Sequence, residues 1–360
     1  MKKIVFYIGS VLRPGGAERV MANLVNYFFE EKYEVLLVTD VINRENNAEY
    51  PIDKEINRIV IGEEYGNAIV KNWRRIKKLR KCMIEHNPDI VLSFMGLPNI
   101  RMLLSTIGLP CKKVVSVRND PYKEYGKGVW RCLMNGIYSL ADGYVFQTDK
   151  VGAYFTRKIN LHSKVINNPV NESFFKARWQ GNEKTIICVG RLEKQKNHAL
   201  LLKAFAEICS SIAEYNLILY GDGALRDTLK QMSVELGIEN RVIFAGEVTN
   251  VEDILTRASL FVLPSDFEGM PNALMEAMAV GIPSISTNCP IGGPEMLFSQ
   301  QLSEFLVPCS DEKALAEGML KILKLSQDRR KEISVKMKDR AKIFNPQKIY
   351  SEWQNFLESI

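Results

Sequence analysis

Short apolar segments that are typical of buried strands alternate with helix-like segments along almost the whole chain. The strands are predicted at residues 3–8, 34–39, 56–61, 88–93, 113–117 and 144–147, followed by a helix over 148–159, and then at 185–189, 217–220, 242–244 and 260–263. This alternation indicates parallel sheets covered by helices, because each parallel connection has to cross back over its sheet. A turn-rich segment at 165–181 separates the two series. We therefore predict an α/β protein with two doubly wound domains, 1–170 and 171–345, and a C-terminal helix at 346–360.

The composition favours a cytoplasmic globular protein. The 360 residues carry a formal net charge of +6, a modest value that does not indicate a nucleic-acid partner. Seven cysteines are scattered without a CxxC pair, which is typical of reduced thiols and predicts no zinc site. The N-terminal apolar run is short for a signal peptide, and no segment reaches the roughly 18 continuous apolar residues of a spanning helix. Any contact with a membrane is therefore expected to be peripheral.

Residues 260–281, LFVLPSDFEGMPNALMEAMAVG, are typical of a buried strand, a turn and a helix opened by Pro271 at the first helical position. The unpaired N–H groups of such a helix start suit a phosphate or diphosphate. Glu268 precedes the helix, and Glu276 lies more than a turn inside it, where a carboxylate can accept hydrogen bonds from vicinal hydroxyls. Taken singly, each has an ordinary alternative. Glu268 is then an acidic residue favoured by the helix dipole, and Glu276 a solvated helix residue.

Glu268 and Glu276 are separated by seven residues within EGMPNALMEAMAVGIP. This pattern resembles the signature of the retaining nucleotide-sugar glycosyltransferases of family 4. The resemblance implies the GT-B architecture, in which two Rossmann-like domains face a central cleft and a C-terminal helix crosses back to the first domain. It places Glu268 beside the donor sugar and Glu276 at the ribose of the nucleotide. The intervening loop and helix start supply further donor-binding residues: Gly269, Met270, Pro271 and Asn272.

A second motif, GRLEKQKNH, follows another predicted strand and opens with Gly190. Arg191 and Lys196 stand five residues apart in a compact loop, so both cations can converge on one anion; a surface cation pair is the alternative. By resemblance to the family, the two side chains hold the donor diphosphate and offset charge on the departing nucleotide. Glu247 and Val248 match the position where family members contact the base, largely through backbone atoms.

In the first half, Gly15 and Gly16 follow the first predicted strand within GGAER. A glycine pair by itself marks any tight turn. The segment resembles the N-domain loop of the same family, whose backbone approaches the donor phosphate or the acceptor, and Glu18 is then an acceptor candidate.

Arg118, Asn119 and Asp120 follow the strand predicted at 113–117, at the edge of the sheet where doubly wound proteins bind ligands. They could bind hydroxyls or a phosphate of the acceptor; an internal Arg118–Asp120 pair that caps the loop is the alternative. Many family members carry a His-containing loop at this position. The departure resembles a subgroup that acts on bacterial surface-polysaccharide and lipid-linked oligosaccharide precursors.

The helix predicted over 66–85 has seven basic residues and no acidic residue between positions 71 and 81. On a helical projection, one face carries Lys71, Arg74, Arg75, Lys78 and Lys81, the opposite face carries Ile69, Trp73, Ile76 and Met83, and Arg80 falls on the apolar side. We expect the basic face to contact anionic lipid or an acceptor pyrophosphate; a solvated helix outside a sheet is the alternative. The apolar helix predicted at 128–141, which contains Trp130 and Leu133, is either core or interfacial.

Together these motifs predict retaining transfer of a hexose or N-acetylhexosamine from a nucleotide diphosphate sugar, with UDP favoured by the family resemblance. The expected acceptor is a saccharide, linked to polyprenyl diphosphate, at the inner face of the cell membrane. The sequence contains no DxD motif, so neither a metal nor another cofactor is expected, and Arg191, Lys196 and helix dipoles stabilise the leaving group. The alternatives are a sugar-nucleotide epimerase or phosphorylase on the same architecture, and a membrane-surface scaffold protein with a vestigial pocket.

Overall fold

The computed structural model describes residues 2–13, 15–41, 49–62, 65–298 and 300–360. The chain divides into two compact units. The first contains Met1–Asn168 and Ile349–Ile360, and the second contains Pro169–Lys348. The passage from Asn168 to Pro169 lies inside the turn-rich segment at 165–181.

In the described part of the first unit, seven parallel strands form one sheet in the order β3-β2-β1-β4-β5-β6-β7. They are β1 (Lys3–Ile8), β2 (Glu34–Thr39), β3 (Asn57–Val60), β4 (Ile90–Phe94), β5 (Lys112–Val117), β6 (Gly143–Phe146) and β7 (Ser163–Val165). Ile4 of β1 pairs with Val35 of β2 on one side and with Ile90 of β4 on the other. The strand order therefore reverses between β1 and β4, where doubly wound sheets open a crevice at their carboxyl ends. The sequence did not predict β7, whose three residues, Ser-Lys-Val, have no apolar run.

The second unit contains a sheet of six parallel strands, counted over its described residues, in the order β10-β9-β8-β11-β12-β13. They are β8 (Thr185–Val189), β9 (Asn216–Tyr220), β10 (Val242–Gly246), β11 (Leu260–Leu263), β12 (Ser284–Thr287) and β13 (Leu306–Val307). The order reverses between β8 and β11, so the loops that follow these two strands are neighbours. All four residues of β11 are buried, as expected for a central parallel strand covered on both faces.

The helices, in chain order, are α1 (Gly16–Glu30), α2 (Ala68–His86), α3 (Gly96–Ser105), α4 (Pro121–Glu124), α5 (Val129–Tyr138), α6 (Asp149–Gly152), α7 (Arg157–Leu161), α8 (Glu172–Lys176), α9 (His198–Ile208), α10 (Arg226–Glu235), α11 (Val251–Arg257), α12 (Asn272–Val280), α13 (Gly293–Leu297), α14 (Glu312–Leu323), α15 (Gln327–Ala341) and α16 (Pro346–Ser359). The single helix predicted over 148–159 is wrong, because α6 and α7 replace it. The Thr156 N–H donates to Asn135 Oδ1 (2.7 Å), and Asn160 Nδ2 donates to Gly152 O (3.0 Å). These side-chain partners take the place of helical hydrogen bonds at the break.

The core of the first unit includes the C-terminal segment. Trp353 of α16 is fully buried, and its ring centroid lies 5.6 Å from that of Phe94 in β4. Tyr350 stacks on Tyr27 of α1 with centroids 4.9 Å apart, and the Tyr27 hydroxyl donates to Gln354 Oε1 (2.9 Å). The last residues of the chain are therefore structural members of the first unit.

Candidate active site

Two loops at the carboxyl ends of β8 and β11 carry the main candidate site in the second unit. In the loop after β8, Lys194–Lys196 form a 3₁₀ turn, and Asn197 (φ 44°) caps α9 by accepting from the Leu200 N–H (3.2 Å). In the loop after β11, Pro271 occupies the N-cap of α12. The prediction that Pro271 is the first helical residue is wrong by one position, because Asn272 is the first residue of that helix.

Three hydrogen bonds join these two loops. Asn197 Nδ2 donates to Asp266 Oδ1 (2.7 Å), the Asp266 N–H donates to Gln195 O (3.0 Å), and Gln195 Nε2 donates to Phe267 O (2.8 Å). Because backbone and side-chain groups of both loops take part, the loops hold each other in one conformation. The functional side chains that they carry are thereby fixed relative to one another.

Lys196 and Glu268 face each other across these joined loops. The Lys196 ammonium contacts Glu268 Oε1, and the two side chains are only 18% and 8% exposed. The Ser265 hydroxyl donates to the same oxygen (2.8 Å). Within the described residues both bonds go to Oε1, which leaves Oε2 of the carboxylate available to a ligand. The structure thus brings together two of the three residues predicted to be catalytic.

Arg191, the third, has a different partner. Its guanidinium pairs with Glu193 Oε1 at 3.0 Å, and its side chain is 51% exposed. In this conformation Arg191 and Lys196 therefore pair with different carboxylates. An exposed pair of this kind contributes at most about 1 kcal/mol, so Arg191 can exchange Glu193 for a phosphate at little cost.

Glycines let several loops approach Gly190 and Gly269 closely. A Cβ on Gly221 would lie 2.1 Å from Gly190 O, and a Cβ on Gly293 would lie 1.9 Å from Gly269 O. Larger residues at 221 or 293 would therefore push these backbones apart. Gly293 belongs to the turn CPIGGPE at residues 289–295.

Glu276 and Met270 are buried on α12 and at its start. The alternative that Glu276 is a solvated helix residue is therefore wrong.

Glu247 and Val248 follow β10, with Glu247 exposed and Val248 half-buried. The end of β10 is tied to the loop after β9, since the Gly221 N–H donates to Gly246 O (2.7 Å).

Sequence reasoning missed Ser265, Asp266 and His198. The available signal was a small hydroxyl residue just past a buried strand, three positions before Glu268, and polar residues clustered in QKNH. His198 is buried at the first turn of α9. Burial, and to a lesser degree the Lys196 ammonium, lowers the pKa of His198 to about 4. This imidazole is therefore neutral at pH 7 and adds no charge to the site.

In the first unit, the predicted donor-binding residues Gly15 and Gly16 and the acceptor candidates follow the carboxyl ends of β1 and β5. Gly15 is the N-cap of α1, Gly16 is its first residue, and Glu18 lies in its first turn. Asp120 caps α4 by accepting from the Tyr122 N–H (2.8 Å), and Asn119 Oδ1 accepts from the Asp120 N–H (2.9 Å). The side chains of Asn119 and Asp120 thus shape the loop by accepting from its backbone N–H groups.

Arg118 is buried and does not pair with Asp120, so the internal pair considered from the sequence is wrong. Its Nη1 donates to Asn168 Oδ1 (2.7 Å), and its guanidinium carbon lies 4.0 Å from the Phe94 ring centroid and 5.4 Å from that of Trp353. Burial lowers the pKa of Arg118 to about 9, so it remains charged at pH 7. The stacking places Arg118 inside the core beside the C-terminal helix.

The predicted basic helix is α2, but its buried face differs from the prediction. Its buried residues are Leu79, Cys82 and Met83. Ile69 and Trp73, predicted to share a face with Met83, are 80% and 56% exposed. The predicted apolar face is therefore wrong near the start of the helix.

Two arginines of α2 point inward. Arg75 lies 3.8 Å from Asp40 Oδ2 in a largely buried pair. Arg80 Nη1 donates to Ser105 O (2.9 Å) and Ile107 O (2.8 Å) at the end of α3, which explains its position on the apolar side of the projection. The other predicted lipid candidates differ in exposure: Lys71 is half-buried, and Arg74, Lys78 and Lys81 are exposed.

The described residues contain no group of three or more His, Cys, Asp or Glu side chains placed to hold a metal ion. None of their helices combines the length and apolar character needed to cross a membrane.

Family models match both halves of the chain. The model described as "Glycosyltransferase Family 4" matches residues 14–174, and "Glycosyl transferases group 1" matches residues 169–342. A Campylobacter jejuni GalNAc-alpha-(1->4)-GalNAc-alpha-(1->3)-diNAcBac-PP-undecaprenol alpha-1,4-N-acetyl-D-galactosaminyltransferase is 29% identical over 100% of this chain and 99% of its own. A second enzyme of that organism, an N-acetylgalactosamine-N,N'-diacetylbacillosaminyl-diphospho-undecaprenol 4-alpha-N-acetylgalactosaminyltransferase, is 27% identical over 99% of this chain and 100% of its own.

Solved structures share the fold across the whole chain. Anabaena HepE in complex with UDP and glucose superposes with a TM-score of 0.82 at 17% identity and covers 100% of both chains. Sucrose-phosphate synthase from Thermosynechococcus elongatus gives a TM-score of 0.86 at 17% identity, over 100% of this chain and 99% of its own.

Proposed function

The chain belongs to glycosyltransferase family 4, and from this premise we propose that it transfers a hexose or N-acetylhexosamine from a UDP-sugar to a saccharide linked to polyprenyl diphosphate. The predicted family and the predicted α/β fold of the GT-B class are confirmed. The epimerase, phosphorylase and scaffold alternatives are set aside, since members of this family are glycosyltransferases. The names of the two Campylobacter enzymes support the acceptor class, and the UDP bound to HepE supports the donor.

The observation that carries the proposal is the Lys196–Glu268 pair on the joined loops. A carboxylate beside a diphosphate would be repelled by about 1 to 4 kcal/mol per charge pair at 4 Å. Lys196 neutralises Glu268 and presents a cation to the phosphates, so the carboxylate can accept sugar hydroxyls close to them. The donor sugar would lie at Glu268 and the ribose at Glu276, with Gly269, Met270, Pro271 and Asn272 between them.

We assign leaving-group stabilisation to Lys196, Arg191 and the N-terminus of α12, without a metal ion. Lys196 is largely buried and paired with Glu268, whereas Arg191 is exposed and exchanges Glu193 for the diphosphate. Preorganised donors of this kind stabilise the negative charge that develops in the transition state. Removing one such donor from comparable sites costs about 3 to 4 kcal/mol of transition-state stabilisation. The anomeric configuration is retained because the acceptor hydroxyl attacks the face of the sugar from which the phosphate departs. The leaving phosphate helps to deprotonate that hydroxyl.

A donor and acceptor screen tests the proposal. The protein is incubated with UDP- and GDP-linked hexoses and N-acetylhexosamines, with and without undecaprenyl-diphosphate saccharides, in buffer containing EDTA. We expect UDP release from one donor to rise at least about tenfold with acceptor, and NMR of the product to show the donor's anomeric configuration. Equal UDP release with and without every acceptor would overturn the acceptor class, and a requirement for added Mg²⁺ would overturn the metal-free assignment.

The proposal places the enzyme at an anionic membrane surface, where such acceptors reside. Exposed apolar side chains lie on α2, on α3 and on α5, and α3 packs against both of the others. They are Ile69, Trp73, Ile84, Leu97, Val129, Trp130 and Leu133. The Lys77 ammonium lies 3.5 Å from the Trp73 ring centroid, beside the exposed cations of α2. Apolar and aromatic side chains bordered by cations are typical of helices that rest in a lipid interface.

Charge reversal on α2 should weaken vesicle binding. Replacing Arg74, Lys78 and Lys81 together by Glu removes about 1 kcal/mol of attraction per cation, so binding to phosphatidylglycerol vesicles should weaken by at least about 100-fold. Cosedimentation measures the effect, with Lys324, Arg329 and Lys331 of the second unit reversed together as the control of equal charge change. Equal loss in both variants would indicate only a general charge effect, and no loss in either would remove α2 from the membrane contact.

A further inference from the structure

We infer that Ser265 is a positioning residue that orients the Glu268 carboxylate, and that Thr287 holds Ser265 in place. The inference rests on the proposed role of Glu268 at the donor sugar. It concerns residues that do not themselves contact the donor. Both Ser265 and Thr287 are fully buried, so neither hydroxyl is at the protein surface.

Ser265 uses its two polar groups in opposite directions. Its hydroxyl donates to Glu268 Oε1 (2.8 Å), the oxygen that Lys196 also contacts. Its carbonyl oxygen accepts from the Thr287 hydroxyl (2.5 Å) and from the Cys289 thiol (3.3 Å). A chain of hydrogen bonds therefore runs from the carboxyl end of β12, through the end of β11, to the Glu268 carboxylate.

The two donors to Oε1 have different effects. The Lys196 ammonium is a point charge on a flexible stem, so it attracts the carboxylate without fixing its rotation. The Ser265 hydroxyl is directional and lies on the same loop as Glu268, so it selects which oxygen faces inward. With Oε1 held by both donors, Oε2 is the oxygen left to accept from a hydroxyl of the proposed donor sugar. Loss of the Ser265 hydroxyl leaves the Lys196–Glu268 pair intact, but the orientation of the Glu268 carboxylate is no longer fixed.

Displacing the Glu268 carboxylate by a fraction of an ångström affects turnover more than donor binding. The reason is that binding of UDP depends on groups that loss of the Ser265 hydroxyl does not alter. Replacing Ser265 by alanine should therefore lower kcat by about 10- to 100-fold, the range that corresponds to one hydrogen bond to a charged group. The dissociation constant of UDP should change by less than about twofold. Thr287→Val removes the hydroxyl that donates to Ser265 O and, at 3.3 Å, to Leu263 O, and it should lower kcat by roughly 3- to 10-fold.

Matched variants separate positioning from packing. Ser284→Ala is the control, because Ser284 is equally buried at the other end of β12 and donates to Ile282 O (2.8 Å), away from Glu268. Ser265→Thr keeps the hydroxyl and should recover most of the turnover lost in Ser265→Ala. In the background of Glu268→Gln, the change Ser265→Ala should have little further effect, because the two residues act as one unit.

Each result has one meaning. Additive effects of Ser265→Ala and Glu268→Gln, or a loss in Ser284→Ala as large as in Ser265→Ala, would reduce Ser265 to a packing residue. Full turnover in both Ser265→Ala and Thr287→Val, with turnover lost in Glu268→Gln, would overturn the positioning role and leave the proposed function standing. Full turnover in Glu268→Gln itself would overturn the proposed role of Glu268, and the positioning role with it.

Discussion

Replacing Lys196 by methionine, or Glu268 by glutamine, should lower kcat by about 100- to 1,000-fold, as loss of a preorganised charge at a reacting centre does. The Lys196 change should also destabilise the second unit by about 2 to 4 kcal/mol, because it leaves the Glu268 carboxylate buried without its cation. Urea unfolding and steady-state UDP release measure the two effects separately. The double variant should regain most of the stability and none of the turnover, since a neutral pair satisfies the fold but not the diphosphate.

Lys194 supplies the control for this pair. It lies in the same 3₁₀ turn as Lys196 but is exposed, so Lys194→Met removes the same charge from the surface. We expect its turnover to stay within about twofold of the unchanged protein, because screened surface charges contribute little. Turnover that recovers together with stability in the Lys196→Met, Glu268→Gln double variant would show that the pair is structural. The proposed site would then have to be sought elsewhere.

The sequence predicts the joined loops well, because the rules that place them are local. A strand, a short polar loop and a helix start put Lys196 and Glu268 at the carboxyl ends of their strands. Their meeting then follows from the adjacency of β8 and β11 in the sheet. Ser265 was not predicted, because its role depends on Thr287, which comes from β12, a strand that the sequence pattern did not reveal. Its segment, Ser-Ile-Ser-Thr, carries one large apolar residue and resembles a loop.

The basic helix shows why periodicity alone can select the wrong face. On a projection, Ile69 and Trp73 define an apolar side, on which Arg80 also falls, and Arg74 and Arg75 lie on the polar side. In the structure Arg75 and Arg80 turn inward: Asp40 Oδ2 lies 3.8 Å from Arg75, and two carbonyl groups at the end of α3 accept hydrogen bonds from Arg80. Partners of this kind come from distant segments, and a single helix does not specify them. The exposed Trp73 is consequently a better indicator of an interface than the projection was.

Trp353→Ala should destabilise the first unit by about 3 to 5 kcal/mol, the usual cost of removing a buried tryptophan ring. The ring is 0% exposed, lies against Phe94, and stacks with the buried Arg118 guanidinium. Loss of the ring therefore leaves a cavity and removes one of the two aromatic contacts of Arg118. A chain of two units need not unfold in one step, so hydrogen exchange read by mass spectrometry over β4 and β5 is the suitable measurement.

Exchange from β4 and β5 should accelerate by a factor between about 100 and several thousand in Trp353→Ala, which corresponds to the expected loss of stability. Trp130→Ala is the control, because Trp130 is 62% exposed on α5 and its removal should change exchange by less than about threefold. If both variants exchange alike, the Trp353 ring does not stabilise β4 and β5, and the expected role of the C-terminal helix is wrong. If only Trp353→Ala accelerates exchange, the last residues of the chain stabilise the strands that lead to Arg118, and truncation before Trp353 should abolish folding of the first unit.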